Sequence, residues 1–466
     1  MIATFLSISL IFSVFTGCSK NNEFEVNTKP GHLSILDITF VPNGMGSEGQ
    51  NEELTRSKYI DLFQSQNPNV EITFDHVQPT NQRILTVIDS QNPDIILLDP
   101  DQMSLLIAEN HVMDLDSFIQ NDDFDLDGIA PYVKEGIKEI GQGKLFGLAP
   151  YFRSQVLLYN KNLFDETGIA YPKDGMTWDE TFQLAQRLSF KKDNHQVFGI
   201  SLGKSSVFDN MLYSYTTSLG LRMMDLDSGK MTVQSQEWEQ AWKTMIDLER
   251  NMVMPGPDSL YFQDRVTGPY DFDDFLSGRA AMEIVDQEII VELMNRNKKS
   301  SGDLNKINWD IVSLPDHPSN PGSSNDLNVA GLMSINSKSG NNELAWSFIK
   351  FINGDQWAKI KTGSKEYLLS RTAFNKPLEQ LNYNINAFFT KTPVNPGYNL
   401  DRLQQENTGY IDLLNLGRTK FELAASGQID TKRAIAEWQT QGNVILNKIN
   451  SNTPEKNTNA GLLRSF

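Results

Sequence analysis

The sequence predicts an α/β fold built on a mostly parallel sheet, and three segments near its start carry that prediction. The segment 33–40, LSILDITF, is rich in β-forming residues, and 69–77, NVEITFDHV, alternates between apolar and polar residues. The segment 93–99, PDIILLD, is a short continuous apolar run, which is typical of a strand buried on both faces. Between the first two, 54–67 has apolar residues at near-helical spacing and ends before Pro68. Such alternation of strands and helices indicates a parallel sheet flanked by helices.

Polar residues follow two of these predicted strands directly. Ligands of parallel sheets bind beyond the carboxyl ends of the strands. This rule places Asn43 and Gly44, after the first strand, and Asp99 and Asp101, after the third, at the edge of a candidate site. A second interpretation is that Asp99 or Asp101 caps the helix that begins with QMSLLIAENHV, since Asp is a preferred N-cap residue. The two roles are compatible if the carboxylates divide them.

Length and charge limit the classes of protein to which the chain can belong. At 466 residues it is long enough for two or three domains. The 41 basic and 59 acidic residues give a net charge of −18, which argues against nucleic acid as a partner because phosphates are bound by Lys and Arg. An acidic surface fits a soluble protein with a neutral ligand.

The N-terminal segment MIATFLSISLIFSVFTGCSK predicts a signal peptide. Its roughly fifteen mostly apolar residues have the length of a signal-peptide core and are short for a membrane span, although an N-terminal membrane anchor is the alternative. Cys18 is the only cysteine, so it cannot form an internal disulfide, and it follows small residues. This arrangement resembles the lipobox of bacterial lipoproteins. We therefore expect a signal peptide at 1–17, lipidation of Cys18 and a polar, flexible tether at 18–32.

Two tryptophan-containing helices are predicted to be structural. Thr177 and Glu180 have the spacing of a capping box that opens the helix in GMTWDETFQLAQRLS. In SQEWEQAWKTMIDLER, Trp238 and Trp242 lie one helical turn apart among charged residues. A sugar-stacking platform is the alternative for this tryptophan pair, but the spacing is that of an ordinary packed helix.

The segment 143–168, GKLFGLAPYFRSQVLLYNKNLFDETG, contains an unexpected polar interruption. The apolar runs 145–148 and 156–159 flank Arg153, Ser154 and Gln155. Burying such side chains without partners is unfavourable, so a continuous buried strand is a poor interpretation.

No catalytic or metal-binding motif is recognisable in the chain. The five histidines have no ligand spacing, and neither a nucleophile elbow, a phosphate-binding loop nor a calcium loop occurs. Acidic pairs such as Asp122-Asp123 and Asp273-Asp274 could in principle serve a glycosidase, which needs two carboxylates at a suitable separation. In so acidic a chain we interpret them as solvated surface. We therefore expect no enzyme, cofactor or metal.

Five ordered blocks resemble the family 1 extracellular solute-binding proteins of bacterial ABC importers, the family of maltose-binding protein. The blocks are GKLFGLAPYFRSQVLLYNKNLFDETGIAYPKDGMTWDETFQLAQRL, NPDIILLDPDQMSLLIAENHVMDLDSFI, FLSGRAAM, WDIVSLPDHP with VAGLMSINSKSGNNELAWSFIKFI, and FELAASGQIDTKRAIAEWQ. They lie between residues of about 90 and 440, nearly the whole mature chain.

The resemblance implies a type II periplasmic-binding-protein fold whose two lobes are joined by crossing strands and close on a ligand by hinge motion. The crossings would be 149–156 and 329–335. The first lobe would comprise 33–152 and 333–380, and the second 153–332 and 381–466. Each lobe would hold a mostly parallel sheet flanked by helices.

Ligand-binding positions follow from the resemblance block by block. The implied residues are Asn43, Leu98, Asp99, Asp101, Arg153, Ser154, Gln155, Asp209, Asn210, Tyr213, Asp286 and Gln287. Many sugar binders of the family carry a tryptophan after Ala-Ala-Met, but here Glu283 to Glu288 contain none. This difference favours polar recognition by Asp286 or Gln287, with the stacking ring supplied elsewhere.

The expected function is that of a lipid-anchored, monomeric substrate-binding subunit on the outer face of the cytoplasmic membrane. It would bind a mono- or oligosaccharide and deliver it to the permease subunits of an ABC importer. Vicinal hydroxyls suit such a site, because carboxylates, amides and guanidinium groups all bind them. The alternatives are a secreted cell-surface glycoside hydrolase or lyase, and a protein that presents its ligand to a sensor kinase.

Overall fold

The computed structural model describes residues 30–40, 53, 55–78, 80, 83–192, 195–203, 206–226, 228–256, 270, 273–299, 306–318, 321–363, 365, 367–394 and 400–452. Cys18, the signal peptide and Asn43 lie outside the described residues. The strands are β1 (Gly31–Asp37), β2 (Val70–His76), β3 (Ile95–Leu97), β4 (Tyr151–Arg153), β5 (Val156–Asn160), β6 (Phe190–Lys192), β7 (His195–Val197), β8 (Met224–Asp225), β9 (Lys230–Met231), β10 (Met282–Val285), β11 (Trp309–Ser313), β12 (Ser323–Asp326), β13 (Asn328–Ala330), β14 (Met333–Ile335), β15 (Leu368–Leu369) and β16 (Thr392–Val394).

The α-helices are amphipathic or short. They are α1 (Asp61–Gln66), α2 (Ile84–Gln91), α3 (Pro100–Ala108), α4 (Asp116–Asn121), α5 (Pro131–Ile140), α6 (Lys161–Thr167), α7 (Trp178–Arg187), α8 (Val207–Asn210), α9 (Gln236–Arg250), α10 (Gln287–Lys299), α11 (Asn342–Ile352), α12 (Asp355–Lys361), α13 (Leu400–Glu406), α14 (Gly409–Ala425) and α15 (Thr431–Asn452). Among the described residues, no helix combines the length and the apolar character needed to cross a bilayer.

The first sheet has the strand order β14-β3-β1-β2. Strand β1 pairs in parallel with β2 and β3, whereas β14 pairs antiparallel with β3. All three residues of β3 are buried, as the apolar run predicted. The strand at the start of the chain begins at Gly31, two residues before its predicted start at Leu33. The α/β architecture predicted from the first hundred residues is confirmed.

The second sheet has the order β10-β5-β11, and both neighbours run antiparallel to β5. Parallel bridges also join Phe198 to Ala280 and Ser201 to Glu283. The segment 198–201, β10 and β11 therefore share one direction, and β5 alone opposes them. Each sheet thus has one strand that opposes the rest, β14 in the first and β5 in the second.

A third, short sheet joins the other two. Strand β4 pairs antiparallel with β13 and with β15; we call these three strands the crossing sheet. Leu148, just before β4, bridges to Met333 of the first sheet, and β5 of the second sheet begins three residues after β4 ends. Likewise, along the chain, β13 follows β11 of the second sheet and precedes β14 of the first. Strands β4 and β13 thus connect the two sheets, and each overlaps one of the segments predicted as crossings.

Two hydrophobic cores lie on either side of the second sheet. The residues of β5 alternate between them: Val156 and Leu158 belong to the core that includes the first sheet, and Leu157 and Tyr159 to the other. We call the unit that contains the first sheet the first lobe, and the unit that contains the second sheet and the other core the second lobe; the first core thus extends onto one face of the second sheet.

The tryptophan pair lies in the core of the second lobe, as predicted. Trp242 is fully buried in that core, with its ring 5.6 Å from the ring of Trp438. The helix with the predicted capping box also packs there, and the box is confirmed: the amide of Glu180 donates to the Thr177 hydroxyl, and the amide of Thr177 donates to the Glu180 carboxylate. Both tryptophan-containing helices are therefore structural.

Candidate ligand-binding site

The carboxyl ends of β1, β2 and β3 form what we call the first-lobe edge, with Phe40, Gln78, Asp99 and Asp101. Asp99 is the N-cap of α3 and forms a capping box with Gln102, whose Oε1 accepts the Asp99 amide at 2.9 Å. Oδ2 of Asp99 also accepts the amide of Phe40, 2.7 Å away, which ties the end of β1 to the end of β3. The capping interpretation of Asp99 is confirmed.

A buried arginine from the distant helix α13 completes this edge. Nη2 of Arg402 donates to Oδ2 of Asp99, and Nε lies 3.4 Å from Oδ2 of Asp101. The Arg402 side chain is only 4% exposed, and its guanidinium lies 5.6 Å from the ring of Phe40. Sequence analysis missed Arg402. Two acidic residues directly after a buried strand were the only signal that a basic partner is needed there.

Burial governs the electrostatics of the two aspartates. It raises the pKa of Asp99 to about 7, with the nearby carboxylates of Asp101 and Asp37 acting in the same direction and Arg402 opposing them. Burial also raises the pKa of Asp101, again against the attraction of Arg402. The carboxylates are poorly hydrated, so Arg402 compensates only part of the cost of keeping them charged.

Leu98, implied as a ligand position, does not present its side chain to a site. It is 1% exposed in the core, and its amide donates to the carbonyl of Leu332 at 3.1 Å. Burial leaves the backbone as the part of Leu98 that could contact a ligand.

The polar interruption lies at the end of the crossing sheet. Arg153 is the last residue of β4, and Ser154 and Gln155 fill the break before β5. Nη2 of Arg153 donates to Oε1 of Glu288 at 2.6 Å, and its guanidinium lies 4.6 Å from the ring of Tyr367. Gln155 is half-buried and Ser154 buried. Arg153 therefore connects the crossing sheet to the start of α10 in a partly solvated environment.

Asp286 and Gln287 lie beside the Arg153 contact. Oδ1 of Asp286 accepts the amide of Glu288 at 2.9 Å, at the start of α10. Gln287 is 7% exposed, whereas Glu288 is exposed and reaches Arg153. The structure thus brings two predicted positions next to a third through Glu288, which sequence analysis did not select.

The remaining predicted residues lie near α8. Arg418 donates through Nη2 to both carboxylate oxygens of Asp209, at 2.8 and 3.1 Å, and Nδ2 of Asn210 donates to the carbonyl of Gly203. Tyr213 is 44% exposed, and its hydroxyl donates to Oδ1 of Asp401 at 3.4 Å. We call Asp209, Asn210, Tyr213 and Asp286 the second-lobe edge. Because Asp401 and Arg402 are neighbours on α13, this helix contacts the edges of both lobes.

The acidic pair Asp273-Asp274 is a structural element, which corrects the expectation of a solvated surface. The two residues are 1% and 2% exposed. Oδ1 of Asp273 accepts the amide of Leu276, and Oδ1 of Asp274 accepts Nε of Arg279 at 2.9 Å. Within the described residues no group of three His, Cys, Asp or Glu side chains could hold a metal ion.

Comparison with known proteins identifies the class of protein. The profile of the bacterial extracellular solute-binding proteins matches residues 49–359, so the chain belongs to that family. A Brucella abortus protein, named as a binding protein without a ligand, is 25% identical over 353 residues, which are 72% of this chain and 79% of the relative. A mannitol-binding protein of Pseudomonas aeruginosa is 27% identical over 147 residues, 31% of this chain and 32% of the relative.

Solved structures show the same fold. The sugar-binding protein MalE of Xanthomonas citri matches with a TM-score of 0.62 at 16% identity, covering 90% of this chain and 98% of its own. A sugar transporter of Rhizobium etli in an open conformation gives 0.59 at 18% identity, with coverage of 89% and 99%. An Agrobacterium vitis solute-binding protein with bound D-mannitol gives 0.52 at 19%, with coverage of 90% and 99%. The two-lobed periplasmic-binding-protein fold is thus confirmed.

Proposed function

We propose that this protein is the substrate-binding subunit of an ABC importer and binds a sugar or sugar alcohol between its two lobes. The observation that carries the proposal is the crossing sheet, which ends in Arg153 between two α/β units with polar side chains at their edges. Family membership and the sugar and mannitol binders among the similar proteins support this ligand class. Asp273 and Asp274 no longer favour the glycoside hydrolase alternative, because their buried carboxylates accept hydrogen bonds from the Leu276 amide and from Arg279.

The proposed ligand contacts come from three places. The crossing sheet and the residues after it supply Arg153, Ser154 and Gln155. The two edges and α10 supply Asp99, Asp101, Asp209, Asn210, Tyr213, Asp286 and Gln287, and Asn43 lies outside the described residues. Guanidinium, carboxylate and amide groups bind vicinal hydroxyls, and the exposed ring of Tyr213 offers the apolar face that a sugar ring packs against.

Calorimetric titration tests this proposal. The purified protein would be titrated with D-mannitol, glucose, maltose and longer maltooligosaccharides, and in parallel with a dipeptide and a metal chelate. We expect saturable binding of at least one sugar or sugar alcohol. Binding of the dipeptide or the chelate, with none by any carbohydrate, would refute the proposal.

Binding is proposed to close the lobes about the two crossings. The moving bodies would be 33–152 with 333–380 and 153–332 with 381–466. Small-angle X-ray scattering with and without the carbohydrate that binds best should show a smaller radius of gyration in the complex. An unchanged radius at saturation would argue against hinge closure.

Lipidation of Cys18 is proposed to anchor the protein outside the cytoplasmic membrane, next to the permease subunits. Expression of the full chain in a bacterium should give a membrane-associated protein whose N-terminal peptide carries the mass of acyl chains. Cys18→Ser should move the protein to the soluble fraction. Equal membrane association of both proteins would contradict the anchor.

A further inference from the structure

We propose that Arg402 is a latch between the lobes: it holds α13 of the second lobe against the first-lobe edge and so limits how far the ligand-free protein opens. The proposal depends on the two-lobed fold and not on the nature of the ligand. It therefore goes beyond the proposed function and can be tested without any sugar.

Helix α13 belongs to the second lobe by its packing. Leu403 is buried in the second-lobe core, and Leu400 packs against that core. The next helix, α14, contributes Leu413 and Phe421 to the same core. On the same helix, Oδ1 of Asp401 accepts the hydroxyl of Tyr213, a residue of the second-lobe edge. A movement of the second lobe therefore carries α13 with it.

One face of α13 contacts all three parallel strand ends of the first lobe. Arg402 reaches Asp99 after β3 and lies over the ring of Phe40 after β1. Gln405, three residues further along the same face, accepts Nε2 of Gln78, which follows β2, at 3.4 Å. The helix thus covers the strand ends at which ligands of such sheets bind.

The energetics of this contact suit a reversible device. A buried ion pair gains attraction but loses the hydration of both partners, so its net contribution is small compared with either effect alone. Separating the lobes would return Arg402, Asp99 and Asp101 to water, which compensates for the lost ion pairs. The latched and open forms can therefore lie close in free energy. The directional hydrogen bonds between guanidinium and carboxylate fix the position of α13 in the latched form.

Distance measurements between the lobes test the latch. Nitroxide labels would be attached to Cys at Thr86, exposed on α2 of the first lobe, and at Glu422, exposed on α14 of the second, in the full chain with Cys18→Ser. Pulsed electron–electron double resonance, recorded without ligand, then gives the distribution of distances between the two labels and so of lobe separations. We expect Arg402→Met to raise the ratio of open to closed molecules at least tenfold.

A matched control and a second route make the outcome decisive. Lys420→Met also removes one positive charge from an ion pair, that with Glu437 at 2.7 Å, which is partly buried, but both partners lie in the second lobe. This variant should keep the original distribution. Asp99→Asn with Asp101→Asn should open the protein as Arg402→Met does, and adding Arg402→Met should open it no further. An unchanged distribution in folded Arg402→Met or in the double Asn variant, or an equal shift in Lys420→Met, would overturn the latch.

Discussion

The two edges of the candidate site use the same residue types in opposite ways. At the first-lobe edge, the Asp99 and Asp101 side chains are 20% and 19% exposed and share the almost inaccessible Arg402. At the second-lobe edge, the Asp209 side chain is similarly enclosed at 18% exposed, but its partner Arg418 is 34% exposed, and Tyr213 is 44% exposed. Acidic residues at the ends of strands can therefore pair with a distant part of the chain as well as line a site. The first edge holds Arg402 of α13, and the second presents more exposed side chains.

The largest expected effect comes from removing a carboxylate at each edge. Asp99→Ala should lower the free energy of unfolding by about 3 kcal/mol, because it removes a helix cap and leaves Arg402 buried with one carboxylate fewer. Asp209→Ala should cost at most about 1 kcal/mol, since its partner is partly solvated. Urea denaturation of both variants gives the comparison. Equal losses would show that the two edges do not differ in this way.

Ligand affinity should respond most strongly to the crossing sheet, between the two edges. Arg153→Ala should weaken binding of the best carbohydrate at least tenfold, in line with about 1.5 to 3 kcal/mol for a hydrogen bond to a charged group. Calorimetry measures this loss, with Lys420→Met as the control that keeps its affinity. Wild-type affinity in a folded Arg153→Ala protein would remove Arg153 from the site.

The pH dependence of stability distinguishes the first-lobe edge from the rest of the molecule. The pKa of Asp99 is raised to about 7, so the folded protein holds a proton that the unfolded chain releases near pH 4. The contribution of Asp99 to the free energy of unfolding therefore falls as the pH rises from about 4 to about 7, by at most about 1.4 kcal/mol per pH unit.

Asp99→Asn tests this pH dependence because Asn also caps helices. The groups that face Asp99 are Asp101, Asp37 and Arg402, and Nδ1 of His76 lies 3.4 Å from Asp37. All of them remain in the variant, so its stability should fall less steeply with rising pH. Urea denaturation of both proteins from pH 5 to pH 8 measures the two slopes. Parallel slopes would contradict the raised pKa.

The smallest expected effect concerns the exposed ring of the second-lobe edge. Tyr213→Ala should weaken carbohydrate binding by about 1 kcal/mol, the size of an aromatic packing contribution, and leave the free energy of unfolding nearly unchanged. Tyr213→Phe keeps the ring and should retain most of the affinity. A larger loss in Tyr213→Phe than expected for a 3.4 Å hydroxyl contact would assign the effect to the hydroxyl instead.

Local patterns predicted much of this fold because they depend on neighbours in the chain. The buried run at β3, the capping box of Thr177 and the polar break at Arg153 all involve residues within a few positions of one another. Arg402 was missed because its partner Asp99 is 303 residues away, and nothing in the sequence around α13 requires its arginine to be buried. Asp274 was misjudged for a related reason: charge alone suggested solvent, whereas the turn brings Arg279 to the buried Asp274 carboxylate.

The placement of β14 in the first sheet also constrains the order in which the protein can form. Strand β3, which ends at Leu97, has β1 on one side and β14, which begins at Met333, on the other. A nascent chain that has released β1, β2 and β3 therefore still exposes one edge of its sheet until most of the second lobe has been made. Such distant pairing slows folding, so the N-terminal part stays unfinished for much of synthesis. A polypeptide that cannot complete its first unit early remains extended for longer, which suits passage across a membrane before folding.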